Sequence, residues 1–452
     1  MSQSLALDKA FERALEAIPA RVLHGGLAVA YSGGLDSTVL LHLAAEWARR
    51  RDIAIHALHV HHGLSPNADA WALHCQQVCA ALQLPCQILR VQVMAEGEGL
   101  EQAARHARYA ALFSACHRLG ACALLCAHHQ DDQAETVLLN LLRGSGVAGL
   151  GGMHHDSLRG DTAVHLLRPL LDQPRSALQA FAQARGLSWV EDESNQALHL
   201  RRNLVRHVLL PAVEEQFPAA ASVLARSAAH LRSARNLLDQ LAAIDMQANS
   251  REQGRALDLA GLSALPSERI DNVLRFWLRQ QGSQVPGSAR LEELRVQMLH
   301  AGQDRHPQWQ LGNLLLLRSG GTIRIAAAMP PPPAEEISLN WQGESRLAVP
   351  AWHGALHFTA TDSAGLPAAM LQNALRIAPR AGGERLQIHP RRPSRSLKNL
   401  YQEHALPAWQ RPFLPLVYGA DVLLFAAGLG MDCRPLQDGP GYLLHWESDP
   451  SS

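Results

Sequence analysis

From Met1 to Gln216 the chain alternates short apolar runs with stretches in which apolar residues recur every three or four positions. The runs at 27–31, 53–59, 86–93 and 123–127 are short and mostly aliphatic, the pattern of parallel strands buried on both faces. Between them, stretches such as 36–50 and 66–82 carry a helical period. Strand and helix in alternation predict an α/β domain with a doubly wound parallel sheet over residues 1–216. The rhythm then changes. At 219–245 and 267–281 the period is helical, rich in Ala, Leu and Arg, with few strand signals, so residues 217–325 are expected to form a helical domain. A methionine and four prolines at 329–333 cannot enter a helix interior and predict a stiff linker, placed at 326–345. Short strand-like segments and turns predict a small α/β or β-rich domain over residues 346–452.

Composition narrows this picture. A chain of 452 residues, 47% hydrophobic and 18% charged, suits two to three globular domains and excludes a largely disordered protein. The formal net charge is zero, so no global field attracts nucleic acid and any basic surface must be local. Lysine occurs only at Lys9 and Lys398; the rest of the positive charge is arginine, whose planar fork suits phosphate, although a compositional bias of the genome accounts for the same excess. The seven cysteines are odd in number and lie mostly in apolar or helical stretches, which fits a reduced, cytoplasmic compartment. The first residues form an amphipathic segment with acids and no apolar signal core. No run of about 18 apolar residues occurs, so no membrane partner is expected.

The strongest chemical signal is Ser32-Gly33-Gly34-Leu35-Asp36-Ser37, set between an apolar run and an amphipathic helix. Two glycines allow close approach to an anion, the helix begins with free N–H groups, and two serines add hydroxyls. No Gly-Lys-Ser/Thr follows, so this is not a Walker A loop. An acid at Asp36 makes sense beside phosphate if it holds Mg²⁺; the structural alternative is a helix N-cap. A second cluster, His128-His129-Gln130-Asp131-Asp132-Gln133-Ala134-Glu135, follows another apolar run and opens a helix. If helical throughout, it places His128, Asp132 and Glu135 on one face; acids at a helix start are also favoured by the dipole alone. Arg105 and Arg108 share a helical face, within reach of a phosphate or of solvent only. Asp192-Glu193-Ser194-Asn195 and Arg201-Arg202-Asn203-Leu204-Val205-Arg206 line the same cleft, or form a turn and a salt-bridged helix. His59, His61 and His62 have only the distant Cys75 and Cys79 for company, which disfavours zinc. From Arg376 to Lys398 seven basic residues stand against Glu384, a local excess of +6 that fits a phosphate backbone, or else a solvated face.

The loop Ser32–Ser37 resembles the PP-loop of N-type ATP pyrophosphatases. Together with HVHHGLSPNADAW, EQAARHARYAAL, AHHQDDQAETVLLNLLRGSG, EDESN and RRNLVRHVLLP, and with RAGGERLQ and SLKNLYQEHALPAWQRPFLPLVYG near the end, it resembles the tRNA(Ile)-lysidine synthetase family. The resemblance runs through the whole first domain and much of the last. It implies an enzyme that uses ATP and Mg²⁺ to adenylate the wobble cytidine of a tRNA(Ile) with a CAU anticodon. Free L-lysine is then joined to C2, so that the tRNA reads AUA and accepts isoleucine. By motif matching it implies that Ser32, Gly33, Gly34, Leu35, Asp36 and Ser37 cradle the nucleotide and that Asp36 holds Mg²⁺. On the same grounds Asp36, Arg108, His128 and Asp132 are catalytic, and Asp132 and Glu135 bind lysine. Arg380, Arg385, Arg391, Arg392, Arg395, Lys398 and Arg411 are the implied tRNA contacts. A homodimer stays open. The alternatives are a PP-loop tRNA thiolase, disfavoured because the cysteine pairs are CxxxC rather than CxxC, and a catalytically silent tRNA-binding protein.

Overall fold

A computed structural model describes all residues except Met1, Leu64, 94–99, 160–161, 194–196, His199, 301–306, Asn313, 328–332, Ala334, Asn373, Ala405, Ala408 and 449–452. Ser194, Asn195 and most of the proline run therefore lie outside the described residues. The chain falls into two compact units, Met1–Leu237 and Leu238–Ser452.

The first unit is built on a six-stranded sheet: β1 (Leu27–Ala30), β2 (Ile55–His61), β3 (Cys86–Arg90), β4 (Ala123–Leu125), β5 (Asp156–Arg159) and β6 (Thr162–Leu167). Its order is β3-β2-β1-β4-β6-β5, parallel except for the β5 edge. The helices of this unit are α1 (Ser2–Glu16), α2 (Ala20–His24), α3 (Leu35–Arg49), α4 (Ala68–Ala81), α5 (Leu100–Leu119), α6 (Gln130–Leu142), α7 (Val147–Leu150), α8 (Arg175–Ala184), α9 (Arg201–Leu204), α10 (Leu210–Gln216) and the first part of α11 (Ala220–Asn249). Alternation along each central strand explains the two-sided cover. Leu27, Val29, Ala123 and Leu125 pack with residues of α1, α3, α4 and α8, while Ala28, Leu58 and Leu124 pack with Leu112, Phe113 and Cys116 of α5. Fully burying one such leucine contributes about 1.5–3 kcal/mol, so the two apolar layers fix the strand order more firmly than any surface charge does.

The expected doubly wound parallel sheet is present, with two differences. β3 is an edge strand and only Leu89 of it is buried, so that run is not buried on both faces. β5 and β6 were not foreseen; they are short, carry polar residues, and close the sheet with an antiparallel hairpin.

In the second unit the expected helices are present as the rest of α11, α12 (Leu259–Ser263), α13 (Ser267–Gln280) and α14 (Ser288–His300). The middle stretch also holds a five-stranded sheet, order β7-β8-β11-β10-β9, formed by β7 (Ser250–Arg251), β8 (Ala256–Asp258), β9 (Gln308–Leu311), β10 (Leu314–Ser319) and β11 (Thr322–Ala327). Trp277, Leu274, Leu294, Leu316 and Ile323 form the core where helices meet this sheet. The ends of the stretch read as linker are structured: Ala326 and Ala327 belong to β11, and Ile337–Leu339 forms β12. Beyond it the chain is β-rich, as expected. β13 (Arg346–Val349), β14 (Gly354–Thr361), β15 (Leu375–Ala378), β16 (Arg385–Leu386), β17 (Arg395–Ser396), β18 (Leu416–Gly419), β19 (Val422–Ala426), β20 (Gly430–Met431) and β21 (Gly441–Ser448) build two sheets and a hairpin around Trp341, Phe358, Val417, Leu424 and Trp446. Helices α15 (Ala368–Leu371) and α16 (Leu397–Glu403) complete it.

Candidate active site

The strand order of the first sheet reverses between β1 and β4. In open α/β sheets the crevice beyond the carboxyl ends of such a pair is where ligands bind. The loop after β1 is Ser32–Gly34, which leads into α3, and the loop after β4 holds His128 and His129, which lead into α6. Topology thus brings the two sequence clusters to one crevice.

The first loop is shaped by its own hydroxyls. Ser37 Oγ donates to Gly34 O at 3.0 Å and lies 3.0 Å from Ser32 Oγ; Thr38 Oγ1 donates to Gly33 O at 3.3 Å; Val190 N donates to Gly33 O at 2.9 Å. Gly33 has φ of +86°, and a Cβ there would stand 3.0 Å from both Cys75 Sγ and Val190 Cγ2, so only glycine fits. A Cβ on Gly34 would meet nothing nearer than Ser32 Oγ at 3.5 Å, which leaves the outer side of the loop open for an anion. Gly34 occupies the N-cap of α3 and no side chain caps that end. Asp36 is therefore not the cap. Its Oδ1 is buried and accepts no hydrogen bond, so this oxygen could take a cation.

The second loop differs from the expected helical face. His128 lies before α6, in extended chain, so only Asp132 and Glu135 share a helical face. His129, a residue with no expected role, is the N-cap. Its N–H donates to Asp132 Oδ2 at 3.1 Å. The His129 ring is buried among three carboxylates: Nε2 is 3.6 Å from Asp36 Oδ2 and 3.4 Å from Asp132 Oδ2, and Nδ1 is 3.4 Å from Asp131 Oδ2. Burial pushes its pKa down, but Asp131, Asp36 and Asp132 outweigh burial and raise it to about 10. A charged ring has no lone pair at Nδ1, so the 3.4 Å approach of the Asp132 amide to that atom is then a contact and not a hydrogen bond. For His128 burial wins over the nearby Asp132 carboxylate and the pKa falls to about 3, which leaves the ring neutral.

Asp132 and Glu135 are not free acids. Arg202 Nη2 and Arg206 Nη2 reach Asp132 Oδ1 at 2.9 and 2.8 Å, and their Nε atoms reach Glu135 at 2.8 and 2.6 Å. Glu135 is buried and Asp132 nearly so. Burial raises the Asp132 pKa, but His129 and Arg202 with their neighbours outweigh it, and the group is held well below the usual carboxylate range. Residues 205–209 form a single π turn between α9 and α10, which carries Arg206 beside Arg202 on the same carboxylates. Arg202 and Arg206 thus make salt bridges, and these join the start of α9 and the π turn to the start of α6. Asp131 faces elsewhere: its Oδ2 accepts the Arg175 amide at 2.8 Å.

The remaining candidates are placed less closely. Arg108 is exposed on α5, its guanidinium 5.7 Å from the centre of the Tyr109 ring, and its charge helps burial to lower the His62 pKa. His59 Nδ1 faces Tyr31 O at 3.0 Å and Cys75 Sγ at 3.3 Å, while His61 Nε2 meets Asp69 at 3.1 Å. In the second unit Arg391, Arg392 and Lys398 are exposed. Arg385 is bonded to Ser394, and Arg395 pairs with Glu403. Arg380 lies over the Tyr401 ring at 5.2 Å, and Arg411 donates twice to Leu406 O. Arg376 pairs with Glu336, so counting Glu336 and Glu403 takes the local excess from +6 to +4.

Comparison with known proteins adds to this geometry. A PP-loop domain model matches residues 7–213, a TilS substrate binding domain residues 257–324, and a TilS substrate C-terminal domain residues 375–446. The tRNA(Ile)-lysidine synthase of Ralstonia nicotianae is 43% identical over 98% of this chain and 97% of its own. That of Burkholderia pseudomallei is 41% identical over 94% and 93%. Among solved structures, the U34-tRNA thiolase NcsA from Methanococcus maripaludis is 18% identical, with a TM-score of 0.40, over 49% of this chain and 77% of that one. An open glycine loop at the sheet's switch point, the PP-loop match and relatives matched over more than nine-tenths of both chains lead to one conclusion: the chain belongs to the tRNA(Ile)-lysidine synthase family.

Proposed function

We propose that the first unit activates the wobble cytidine of a tRNA(Ile) with a CAU anticodon and joins free L-lysine to it. ATP is the activating substrate of the PP-loop domain. The cytidine O2 attacks the α-phosphorus and diphosphate departs. The lysine Nζ attacks C2, AMP leaves with O2, and the tRNA gains the ability to read AUA and accept isoleucine. The observation that carries this reading is the meeting of the open loop and Asp36 with the Asp132–Glu135–Arg202–Arg206 group at one switch point.

In this reading Ser32 to Ser37 cradle the phosphates with the first N–H groups of α3. Asp36 fits Mg²⁺ because its Oδ1 is a hard donor, buried and without a hydrogen bond, with only the 3.8 Å contact of Arg175 Nε beside it. Bound there, the ion supplies charge neutralisation at the phosphates. Neutral His128 has a ring lone pair that can accept a hydrogen bond from the attacking amine, while a pKa of about 3 makes it too weak a base to keep that amine's proton. Exposed Arg108 is the candidate to offset charge on the departing adenylate. Asp36, Asp131, Asp132 and Glu135 are balanced by His129, Arg175, Arg202 and Arg206. Free lysine brings two ammonium groups and one carboxylate. It binds by offering ammonium to Asp132 and Glu135 while its carboxylate takes up the guanidinium bonds released, a zwitterion exchanged for ion pairs already in place. Arg380, Arg385, Arg391, Arg392, Arg395, Lys398 and Arg411 are the proposed contacts to the tRNA backbone.

Burial raises the Cys75 and Cys116 pKa values to about 12, and Cys126 is raised for the same reason, so these three thiols are poor candidates for thiolase chemistry. The test is diphosphate release with each substrate omitted in turn. Release should require tRNA(Ile) and ATP, and AMP should appear in full only when lysine is added. Release indifferent to tRNA would overturn the reading.

A further inference from the structure

We infer that Arg175 is a phosphate-contacting residue of the nucleotide site, the group that neutralises the diphosphate end of ATP. This rests on the nucleotide reading of the Ser32–Ser37 loop and adds a residue that no motif in the loop supplies.

Arg175 is the first residue of α8, following Pro174. Its Nε stands 3.8 Å from Asp36 Oδ1, the buried oxygen that accepts no hydrogen bond. The side chain is 53% exposed, and among the described residues Asp36 is the only carboxylate paired with it. Its backbone, by contrast, is fixed. Asp131 Oδ2 accepts the Arg175 amide at 2.8 Å, and Gln130 N donates to Gln173 O at 2.9 Å, which ties the start of α8 to the start of α6. An anchored backbone beneath a guanidinium with one weak ion pair is the arrangement of a residue held ready for a ligand, since little backbone order remains to be lost on binding.

The chemistry of the loop calls for such a group. Polyphosphate carries several negative charges, and the loop offers N–H groups and hydroxyls but no cationic side chain. Lysine is absent from the chain between Lys9 and Lys398, so a cation here must be arginine or histidine. His129 is buried behind Asp36 and already faces three carboxylates. Arg202 and Arg206 are committed to Asp132 and Glu135. Arg108 is already assigned to the adenylate, and for the diphosphate end Arg175 offers a half-exposed guanidinium with a weak 3.8 Å contact that it can exchange for phosphate oxygens. When the bond between the α-phosphorus and the bridging oxygen breaks, its electron pair stays on that oxygen, which leaves with the diphosphate, and a planar fork suits that developing charge. Arg175 therefore acts on the diphosphate end and not on adenosine or the α-phosphate retained in AMP.

The test is equilibrium binding to the full chain, with Mg²⁺, of α,β-methylene-ATP, inorganic diphosphate and AMP, for the unaltered protein, Arg175→Ala and Arg175→Lys. Arg175→Ala should weaken the ATP analogue and diphosphate about tenfold to a hundredfold and leave AMP unchanged. Arg175→Lys should recover part of the loss. Because the side chain is half exposed, unchanged thermal unfolding should accompany both. Arg175→Ala that binds the analogue as tightly as the unaltered protein, or that loses AMP to the same degree, overturns the inference. Failure of the unaltered protein to bind the analogue at all would instead bring down the nucleotide reading on which it rests.

Discussion

His129 Nε2 stands 3.6 Å from Asp36 Oδ2. One residue caps α6 and the other lies in the first turn of α3, so this pair ties the loop after β4 to the loop after β1 across the switch point. Through its second carboxylate, Asp132, His129 also touches the group that contains Arg202 and Arg206. The phosphate loop and the acid pair are thus parts of one charge-balanced network, and each of its members has a separable consequence.

Asp36→Asn preserves size and removes the charge. Asp36 caps no helix, so the fold should survive with little change in thermal stability. Diphosphate release should fall about a hundredfold or more, the order of loss for removing one charge-stabilising group from a reacting centre. Near-normal release would show that the buried Oδ1 serves no cation.

Asp132→Asn and Glu135→Gln should damage the lysine step. Each removes a charge from a buried pair with Arg202 and Arg206, and the loss of one charge-assisted hydrogen bond costs about 1.5–3 kcal/mol, roughly tenfold to over a hundredfold in the lysine requirement. Adenylated tRNA should still form without lysine. Asp131→Asn should act differently, because Asp131 holds the start of α8 and faces His129; its effect should fall on nucleotide binding. A raised lysine requirement in Asp131→Asn, with none in the other two, would reverse this assignment.

His128 gives a pH prediction. Its folded pKa of about 3 lies below the ordinary value of 6.5, so between these values the unfolded chain binds a proton that the native chain does not. The corresponding stability is fully present above pH 6.5 and is lost as the pH falls toward 3. His128→Gln should flatten that slope, as measured by denaturant midpoints at a series of pH values. In the unaltered protein the His128 ring resonances should not move between about pH 5 and 8. Titration near 6.5 would contradict the burial of this ring in its neutral form.

The basic surface of the second unit divides into free and engaged side chains. Arg391→Ala and Arg392→Ala should each lower the slope of log affinity for tRNA against log salt by about one unit or slightly less, as expected for loss of one phosphate contact. Arg395→Ala should matter less, since Arg395 is paired with Glu403. Equal slopes in all variants would make the patch a solvated face.

The nucleotide loop was legible because its signal is local: six consecutive residues between an apolar strand and a helix, with Gly33 forced by a positive φ. The acid-rich start of α6 was legible for the same reason, but its geometry was not. A helical period extended one turn back put His128 on the face of Asp132, whereas His129 takes the cap; an acid three residues on, which reaches back to the cap N–H, was the available sign. The pairing of Glu135 with Arg202 and Arg206 joins positions 67 and 71 residues apart, and Arg175 meets Asp131 from 44 residues away, so no local pattern reports them. The sheet β7–β11 escaped because its strands are two to six residues long and β9 buries no residue fully.

The most direct measurement of the central claim is mass spectrometry of nucleosides from tRNA(Ile) bearing a CAU anticodon, incubated with the full chain, ATP, Mg²⁺ and lysine. The expected product is a cytidine derivative heavier by one lysine residue, formed only when ATP and lysine are both present. Unmodified cytidine under the complete conditions, or a sulfur-bearing product in its place, would contradict it.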